Sequence, residues 1–392
     1  MSARSAVVLI GSVLAVGGGL AGTRSDAADA QQSSSFVAGE FCLSGSTAQY
    51  LGTLFDSEPG GVIGADYQRT TALPDGRVLW TFQDAQVRLP SGAITTVHNI
   101  GVIQDGTCFG VLMSGSAAAP EPWLFARNST TYSHWYWPLD AALGTDGRLH
   151  VYLAEMFERG ETYLELVEPT STVVATVDVD TLEVVSLAAA ANNSPDLYGW
   201  SIAGDTDRTY LYAQCHRQFG YDPFIGGSFG HDLGCVAEVT VARVPAGELF
   251  ANPTYWTGAG WSTQSAGAVP VLETAGRMAN PTDVIRRSNR WLAVTKVADW
   301  WGHTILVESA PRPTGPFETI ATLTVAPKCP HDCNTYYASW IAGNDGPTLT
   351  IGVSNNRWDG VTSPVYRPSF LTIPTPPHLV SPADRCSIGH CD

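Results

Sequence analysis

Residues 69–82 read Arg69-Thr-Thr-Ala-Leu-Pro-Asp75-Gly76-Arg-Val-Leu-Trp80-Thr-Phe82, two strand-like segments joined by a polar turn. Asp-Gly between alternating segments is the strongest short-range signal for a β-hairpin, because the tight turn needs backbone angles that these two residue types tolerate. The stretch therefore predicts an antiparallel hairpin that turns at residues 75 and 76.

The same strand–turn–strand pattern recurs four times further along the chain. Its later turns are Asp146-Gly147, Thr206-Asp207, Ser288-Asn289 and Asp345-Gly346. Successive turns are 71, 60, 82 and 57 residues apart, and each interval has room for about four strands with their loops. A sandwich usually turns every ~8–12 residues without so long a period. We therefore predict an all-β fold, a five-bladed β-propeller spanning residues 31–372.

Residues 1–30 have the pattern of a secretory signal peptide. Arg4 provides the positive end, an apolar run over residues 6–22 follows, and Ala28-Asp29-Ala30 is a small-x-small cleavage site. A transmembrane anchor is the alternative, but three consecutive glycines in a short apolar run are poor for spanning a bilayer. No later segment is long and apolar enough to span, so we expect a secreted protein with no membrane partner.

Eight cysteines follow the cleavage site, and an even number in an exported chain indicates four disulfides. Proximity in sequence suggests these pairs: Cys42–Cys108, Cys215–Cys235, Cys329–Cys333 and Cys386–Cys391. A zinc site at residues 329–333 is the alternative, but a second ligand pair at zinc-finger spacing is missing, so we expect no metal. The last pair lies in a Pro-rich tail, residues 373–392, which we predict to be a stapled strap on the surface.

The charge balance limits the partners. With 37 acidic and 21 basic residues, the chain carries a net charge of −16 and would be repelled by nucleic acid and by an anionic membrane surface. The sequence has no phosphate loop, no Gly-x-Ser-x-Gly elbow and no His-Glu-x-x-His pair, and no ligand spacing calls for calcium. We therefore expect no cofactor and, as the default for a secreted propeller, a monomer.

Four acidic residues are predicted at the end of the blades away from the turns. Asp66 lies nine residues before the first turn and Asp84 eight residues after it, so hairpin pairing puts them opposite each other within a residue of register. Glu155 is the counterpart of Asp84 on the next hairpin, and Asp140 enters that hairpin much as Asp66 enters the first. Glycosidic cleavage needs two such carboxyls, one protonated and one ionised. The alternative is that these side chains cap loops or pair with arginines.

Several further side chains are candidates for binding a sugar or tuning a carboxyl pKa. Aromatic rings stack on the apolar face of a sugar, while His, Asn and Asp groups bind its hydroxyls. For most of the tryptophans, and for a buried histidine, core packing is the alternative. The candidates are Arg69, His98, Asn99, Trp137, Trp200, Trp300 and Trp301, together with Asp140 and Glu155.

The order of motifs resembles a bacterial propeller family long labelled as of unknown function. The motifs are Asp66-Tyr-Gln-Arg69, Leu73-Pro-Asp-Gly-Arg-Val-Leu-Trp-Thr-Phe-Gln-Asp84, Val97-His98-Asn99, Trp137-Pro-Leu-Asp140 and Tyr336-Tyr-Ala. Members of that group include the endo-D-arabinanases of glycoside hydrolase family 183. The resemblance implies that Asp66 and Asp84 are the essential aspartates, which is the pair that the hairpin register selects.

These observations predict a secreted glycoside hydrolase that cuts arabinofuranosyl linkages in a polysaccharide, arabinan or arabinogalactan, with Asp66 and Asp84 as the catalytic pair. A propeller that binds a glycan or a protein without cleaving it is the first alternative. A hydrolase or lyase acting on another furanoside or on a uronic-acid polymer is the second. The stereochemical outcome and the roles of the two aspartates stay open at this point.

Overall fold

A computed structural model gives the architecture of the chain. It describes these residues: 36–45, 47–124, 134–158, 167–191, 196–214, 220–222, 227–229, 238–272, 281–298, 302–329, 333–342, 348–357 and 365–376. The predicted signal peptide, the second and fourth cysteine pairs, and Trp300 and Trp301 lie outside them.

The first blade is built from both hairpin strands and the N-terminal segment. The strands in this part of the chain are β1 (Phe36–Cys42), β2 (Val62–Ala65), β3 (Arg69–Ala72), β4 (Val78–Phe82), β5 (Ala85–Arg88), β6 (Ile94–Val97), β7 (Ile100–Asp105), β8 (Cys108–Ser116) and β9 (Ala119–Glu121). The blade has the order β1-β8-β7-β4-β3, β9 pairs with β8, and β2-β5-β6 form a small separate sheet. A short helix α1 (Ala48–Leu51) and a 3-10 turn (Pro59–Gly61) connect β1 to β2.

Four more blades follow in chain order. Their strands are β10 (His134–Leu143), β11 (Leu149–Glu158), β12 (Val167–Val177), β13 (Val184–Ala189), β14 (Leu197–Gly204), β15 (Arg208–Gln214), β16 (Gly220–Asp222), β17 (Gly227–Phe229), β18 (Val239–Pro245), β19 (Thr254–Trp256), β20 (Trp261–Ser262), β21 (Asp283–Arg287), β22 (Arg290–Val297), β23 (Thr304–Ala310), β24 (Glu318–Thr324), β25 (Cys333–Trp340), β26 (Thr348–Arg357) and β27 (Ser369–Pro374). The second blade is β10–β13, the third β14-β15-β18-β19-β20, the fourth β21–β24 and the fifth β25–β27. The strands β16 and β17 form a separate hairpin, and a 3-10 turn lies at Ser265–Gly267.

The innermost strands of the five blades form a closed ring. In order, β3, β10, β14, β21 and β25 each contact the next, and β25 contacts β3. The predicted turns join each inner strand to its neighbour in the same blade, although the fifth turn lies outside the described residues. The fold is therefore a five-bladed β-propeller, as the repeat predicts.

Apolar side chains fill the space between consecutive blades. Five clusters do this, and one member of each is Trp80, Leu149, Tyr198, Trp291 and Ile351. Because both faces of a blade pack against neighbours, inner and central strands such as β4 and β25 are buried along their whole length.

Two disulfides and the last strand lie at the edges of the described fold. Cys42–Cys108 joins β1 to β8. Cys329 and Cys333, the two cysteines of the alternative zinc site, are joined by a disulfide. The outer strand β27 runs to Pro374, so the first two residues assigned to the strap belong to the last blade, where Ile373 is buried against the core. In the described part of the chain, no helix is long and apolar enough to cross a membrane.

Candidate active site

The two predicted catalytic aspartates lie side by side where the first hairpin opens. The β3–β4 ladder ends at Arg69 opposite Thr81, and the β2–β5 ladder begins at Ala65 opposite Ala85. Between the two ladders, the Asp66 amide donates to the Asp84 carbonyl at 3.1 Å, and the Asp84 amide donates to Asp66 Oδ1 at 3.0 Å. The hairpin register thus brings both carboxyl-bearing residues to one end of the first blade.

Asp66 is buried and is held by tyrosines of the last blade. Tyr336 donates its hydroxyl to Asp66 Oδ2 at 2.5 Å. Burial and the neighbouring charge of Asp84 raise the pKa of Asp66 to about 7, against the lowering effect of hydrogen bonds from Tyr336, the Asp84 amide and Tyr366. This close approach of the last blade requires Gly64, since a Cβ there would lie 1.8 Å from the Tyr366 carbonyl oxygen. A carboxyl in this environment carries a proton over much of the range up to neutral pH.

Asp84 is more open, and its side chain is surrounded by hydrogen-bond donors. Its Oδ1 accepts from Trp137 Nε1 at 3.0 Å and lies 2.9 Å from His98 Nδ1. The His98 ring stacks on Trp135 at a centroid distance of 4.5 Å, which fixes its orientation. The carboxyl of Asp84 keeps 18% of its surface exposed, so it faces solvent where Asp66 does not.

Asp140 belongs to a different group from the one predicted. Its oxygens accept from the Ala141 amide at 2.8 Å and from the Ile202 amide at 2.6 Å, so it links β10 to β14. Burial and the charge of Asp283 raise its pKa to about 8, while the hydrogen bonds and Arg69 lower it. Asp140 lies six residues before its turn, as Arg69 does in the first hairpin, whereas Asp66 lies nine residues before its turn.

Arg69 lies at the centre of the ring and contacts several blades. Its guanidinium donates Nη1 to the Pro138 carbonyl at 3.1 Å and lies over the rings of Trp200 at 5.1 Å and Tyr337 at 4.6 Å. It is 3% exposed, and its Nε and Nη2 have no hydrogen-bond partner among the described residues. The positive charge lowers the pKa of Asp283, whose net shift is upward because burial dominates. Trp200, predicted to contact substrate, thus packs under the site with Arg69.

Glu155 forms a second polar group on the next blade. Its Oε1 lies 2.9 Å from His134 Nε2, and Ser171 donates to its Oε2 at 2.5 Å. Glu155 is placed opposite Tyr136 in the β10–β11 ladder, and its charge adds to burial in raising the pKa of Tyr136 to about 12. Glu155 lies as many residues after its turn as Asp84 does, but it contacts different side chains.

Asn99 is hydrogen-bonded to the backbone around it. It is fully buried, and its amide donates to the carbonyls of Leu124 at 2.7 Å and Tyr136 at 2.9 Å. Its Oδ1 accepts from the Leu124 amide at 2.8 Å. Both amide hydrogens of Asn99 are thus used in hydrogen bonds to backbone carbonyls.

Residues that reach the site from distant blades are not predicted by the sequence pattern. Tyr336 and Tyr366 lie about 270 residues or more beyond Asp66 in the chain, and only closure of the ring brings them together. Asp283 could have been found by aligning the repeats, since it enters the fourth hairpin five residues before its turn, much as Asp140 enters the second. In the described part of the chain, no three His, Cys, Asp or Glu side chains are placed to hold a metal ion.

Comparison with known families identifies the domain. The sequence profile of a domain of unknown function, DUF5005, matches residues 52–373. The chain belongs to this family. Its match covers the propeller from the approach to β2 through to β27, and so includes both aspartates. Among curated proteins, none matches the chain.

Several solved structures are similar to this DUF5005 chain. A protein of Bacteroides ovatus, provisionally described as a hydrolase, is 17% identical with a TM-score of 0.60, over 79% of this chain and 85% of its own. A glycoside hydrolase family 43 enzyme of Xanthomonas citri with bound xylotriose is 13% identical, with a TM-score of 0.43 over 80% and 87%. Levansucrase of Bacillus subtilis is 9% identical, with a TM-score of 0.41 over 88% and 85%. At these identities, the likeness to the Bacteroides protein concerns the fold.

Proposed function

We propose that this protein is a secreted glycoside hydrolase that cleaves arabinofuranosyl linkages in cell-wall arabinan, with Asp66 and Asp84 as the catalytic pair. The observation that carries the proposal is the contact between these residues, one buried and tied to Tyr336, the other open and tied to His98 and Trp137. Two neighbouring carboxyls in unlike environments are the equipment of glycosidic hydrolysis. The Bacteroides protein of similar fold is itself described as a hydrolase.

Asp66 is assigned the role of general acid. Its pKa of about 7 leaves a proton available at neutral pH, and that proton passes to the glycosidic oxygen as its bond to the anomeric carbon breaks. The Tyr336 hydroxyl holds the carboxyl in one orientation during this transfer.

Asp84 is assigned the role of the ionised partner. Its carboxylate either attacks the anomeric carbon or takes a proton from the water that does so. A cross-strand neighbour of the acid fits the short separation of retaining enzymes, roughly 5–5.5 Å, so we propose a covalent glycosyl intermediate on Asp84. His98 and Trp137 orient the attacking oxygen by their hydrogen bonds to Oδ1.

The substrate class comes from the motifs. The residues from Asp66 to Asp84 resemble those of the endo-D-arabinanase family, and the two aspartates coincide with its essential pair. The partly exposed Trp137 ring and the His98 imidazole beside Asp84 provide an apolar face and a polar group for a furanose. Export is supported by the leader pattern of residues 1–30 and by the two disulfides.

Incubation of the mature protein with purified mycobacterial arabinogalactan, followed by chromatography of the products, tests the proposal. Wild type should release a ladder of arabino-oligosaccharides, and Asp66→Asn and Asp84→Asn should release at least ~100-fold less. Asp75→Asn, in the exposed turn of the same hairpin, is the matched control and should act as wild type. Intact polymer with wild-type protein would reject the arabinan assignment, and binding without cleavage across a polysaccharide panel would favour a non-catalytic propeller.

An aryl arabino-oligoside separates the two roles. A good leaving group needs no protonation, so Asp66→Asn should recover much of its activity on this substrate while Asp84→Asn should not. The reverse pattern would exchange the assignments.

A further inference from the structure

Tyr67, which follows Asp66 directly, reaches across the axis of the propeller. Its ring stacks on Tyr337 with centroids 4.9 Å apart and lies 6.4 Å from the ring of Trp200. Tyr337 is on the inner strand of the fifth blade and Trp200 on that of the third, which is not adjacent to the first blade in the ring. A side chain of the first blade that meets both must therefore lie over the central channel.

Tyr67 is also the outermost ring of this stack. Arg69, Trp200 and Tyr337 are all buried, at 3%, 6% and 0% exposure, whereas Tyr67 is partly exposed. The guanidinium of Arg69 lies between the Trp200 and Tyr337 rings and so forms the layer beneath. The Tyr67 ring thus lies over this layer, with part of its surface exposed, at the end of the channel where Asp66 is found.

The backbone of Tyr67 is held in an unusual conformation. Its φ is 49°, in the left-handed region that a tyrosine rarely adopts. Its amide donates to Ser354 Oγ at 2.9 Å, and Ser354 donates in turn to Gln68 Oε1 at 2.8 Å. Gln68 also bonds Ser339, its Nε2 donating to Ser339 Oγ at 3.2 Å. Backbone strain of this kind persists only where surrounding contacts impose it, and it clusters at functional sites.

We propose that the Tyr67 ring is the platform on which a sugar residue next to the scissile bond stacks, and that Ser354 fixes its position. The inference rests on the proposed function, since it supplies the binding face for the same substrate. A ring that follows the acid in sequence is placed to bring the glycosidic oxygen to Asp66. Arg69, Trp200 and Tyr337 are buried beneath the Tyr67 ring. The ring therefore cannot move into the channel when a sugar packs on it.

The test compares variants that separate the ring from the backbone conformation. Tyr67→Phe keeps the ring, and Tyr67→Asn removes it while tolerating the left-handed region. Ser354→Ala removes the acceptor of the Tyr67 amide together with the donor to Gln68 Oε1. Tyr50→Asn, at a partly exposed tyrosine of helix α1, is the control. Binding of arabino-oligosaccharides prepared from arabinogalactan by acid hydrolysis is measured by calorimetry in an Asp84→Asn background, and KM and kcat on the polymer are measured with Asp84 intact.

Tyr67→Asn should weaken oligosaccharide binding at least ~10-fold, because some 50–60 Å² of apolar contact is lost. Tyr67→Phe should stay within about threefold of wild type, and Ser354→Ala should raise KM more than it lowers kcat. Unchanged binding by Tyr67→Asn in a protein whose parent cleaves the polymer would overturn the platform and leave the proposed function standing. If binding depends on Tyr67 but the protein does not cleave the polymer, the platform is supported and the proposed function is rejected. If none of the proteins binds the oligosaccharides, the platform is rejected.

Discussion

The raised pKa of Asp66 makes the stability of the protein depend on pH with a predictable sign. The unfolded carboxyl ionises near 3.8, and the folded one near 7, so between these values the folded state holds a proton that the unfolded state has released. Raising the pH through this window therefore favours unfolding. Linkage at about 1.4 kcal/mol per pKa unit gives a loss of roughly 2–3 kcal/mol between pH 5 and pH 8 from this group.

Urea unfolding of wild type and Asp66→Asn, followed by tryptophan fluorescence at pH 5 and pH 8, measures this contribution. Because the amide does not titrate, the free energy of unfolding of wild type minus that of Asp66→Asn should fall by that amount. The titration of Asp140 and of other groups that do not interact with Asp66 cancels in the difference. Asp75→Asn is the control: hydrogen bonds from Arg77 lower the pKa of that exposed turn carboxyl, so its difference should not change over this range. A difference for Asp66→Asn that is equal at both pH values would refute the assignment of a buried, protonated Asp66.

Three further outcomes follow from the same contacts. kcat/KM should decline as the pH rises above about 7, because the acid form of Asp66 is lost, and a pH–rate profile without that decline would exclude Asp66 as the acid. His98→Ala should lower kcat/KM by roughly 10–100-fold through the lost hydrogen bond to the Asp84 carboxylate, whereas His98→Gln should recover part of it; equal losses in steady-state assays would contradict a positioning role. Replacing Cys42 and Cys108 by Ser should lower the free energy of unfolding by about 4 kcal/mol, given the separation of 66 residues, and calorimetry showing no change would mean that β1 needs no clamp.

The sequence predicts those features of the site that local pairing determines. The distance of Asp66 and Asp84 from the Asp75-Gly76 turn sets their register, and the observed bonds between their backbones follow from it. The repeat of turns likewise predicts five blades, since each turn joins an inner strand to the next strand of its blade.

The rest of the site depends on contacts that local patterns do not encode. The register of β10 and β11 shifts between Pro138 and Ala141, and a bulge of this kind leaves no clear mark in an alternating pattern. The buried position of Asn99 depends on the second blade packing against the first. Tyr336 meets Asp66 only because the inner strand of the last blade returns to the first, after 270 residues of intervening chain.

This last contact ties the chemistry of the site to closure of the ring. Blades form from neighbouring strands, but β3 and β25 meet only when all five are in place, and loop closure over so long a separation has no local reward. The polar side chains at this junction are the ones that set the site: Tyr336 orients Asp66, while Ser354 and Ser339 hold Gln68 and the amide of Tyr67. Each is buried, so a blade that separated here would leave unpaired donors and acceptors in both halves. The same hydrogen bonds therefore stabilise the closed ring and hold Asp66 and the neighbouring Tyr67 ring in place, so that the proposed active site exists only in the closed propeller.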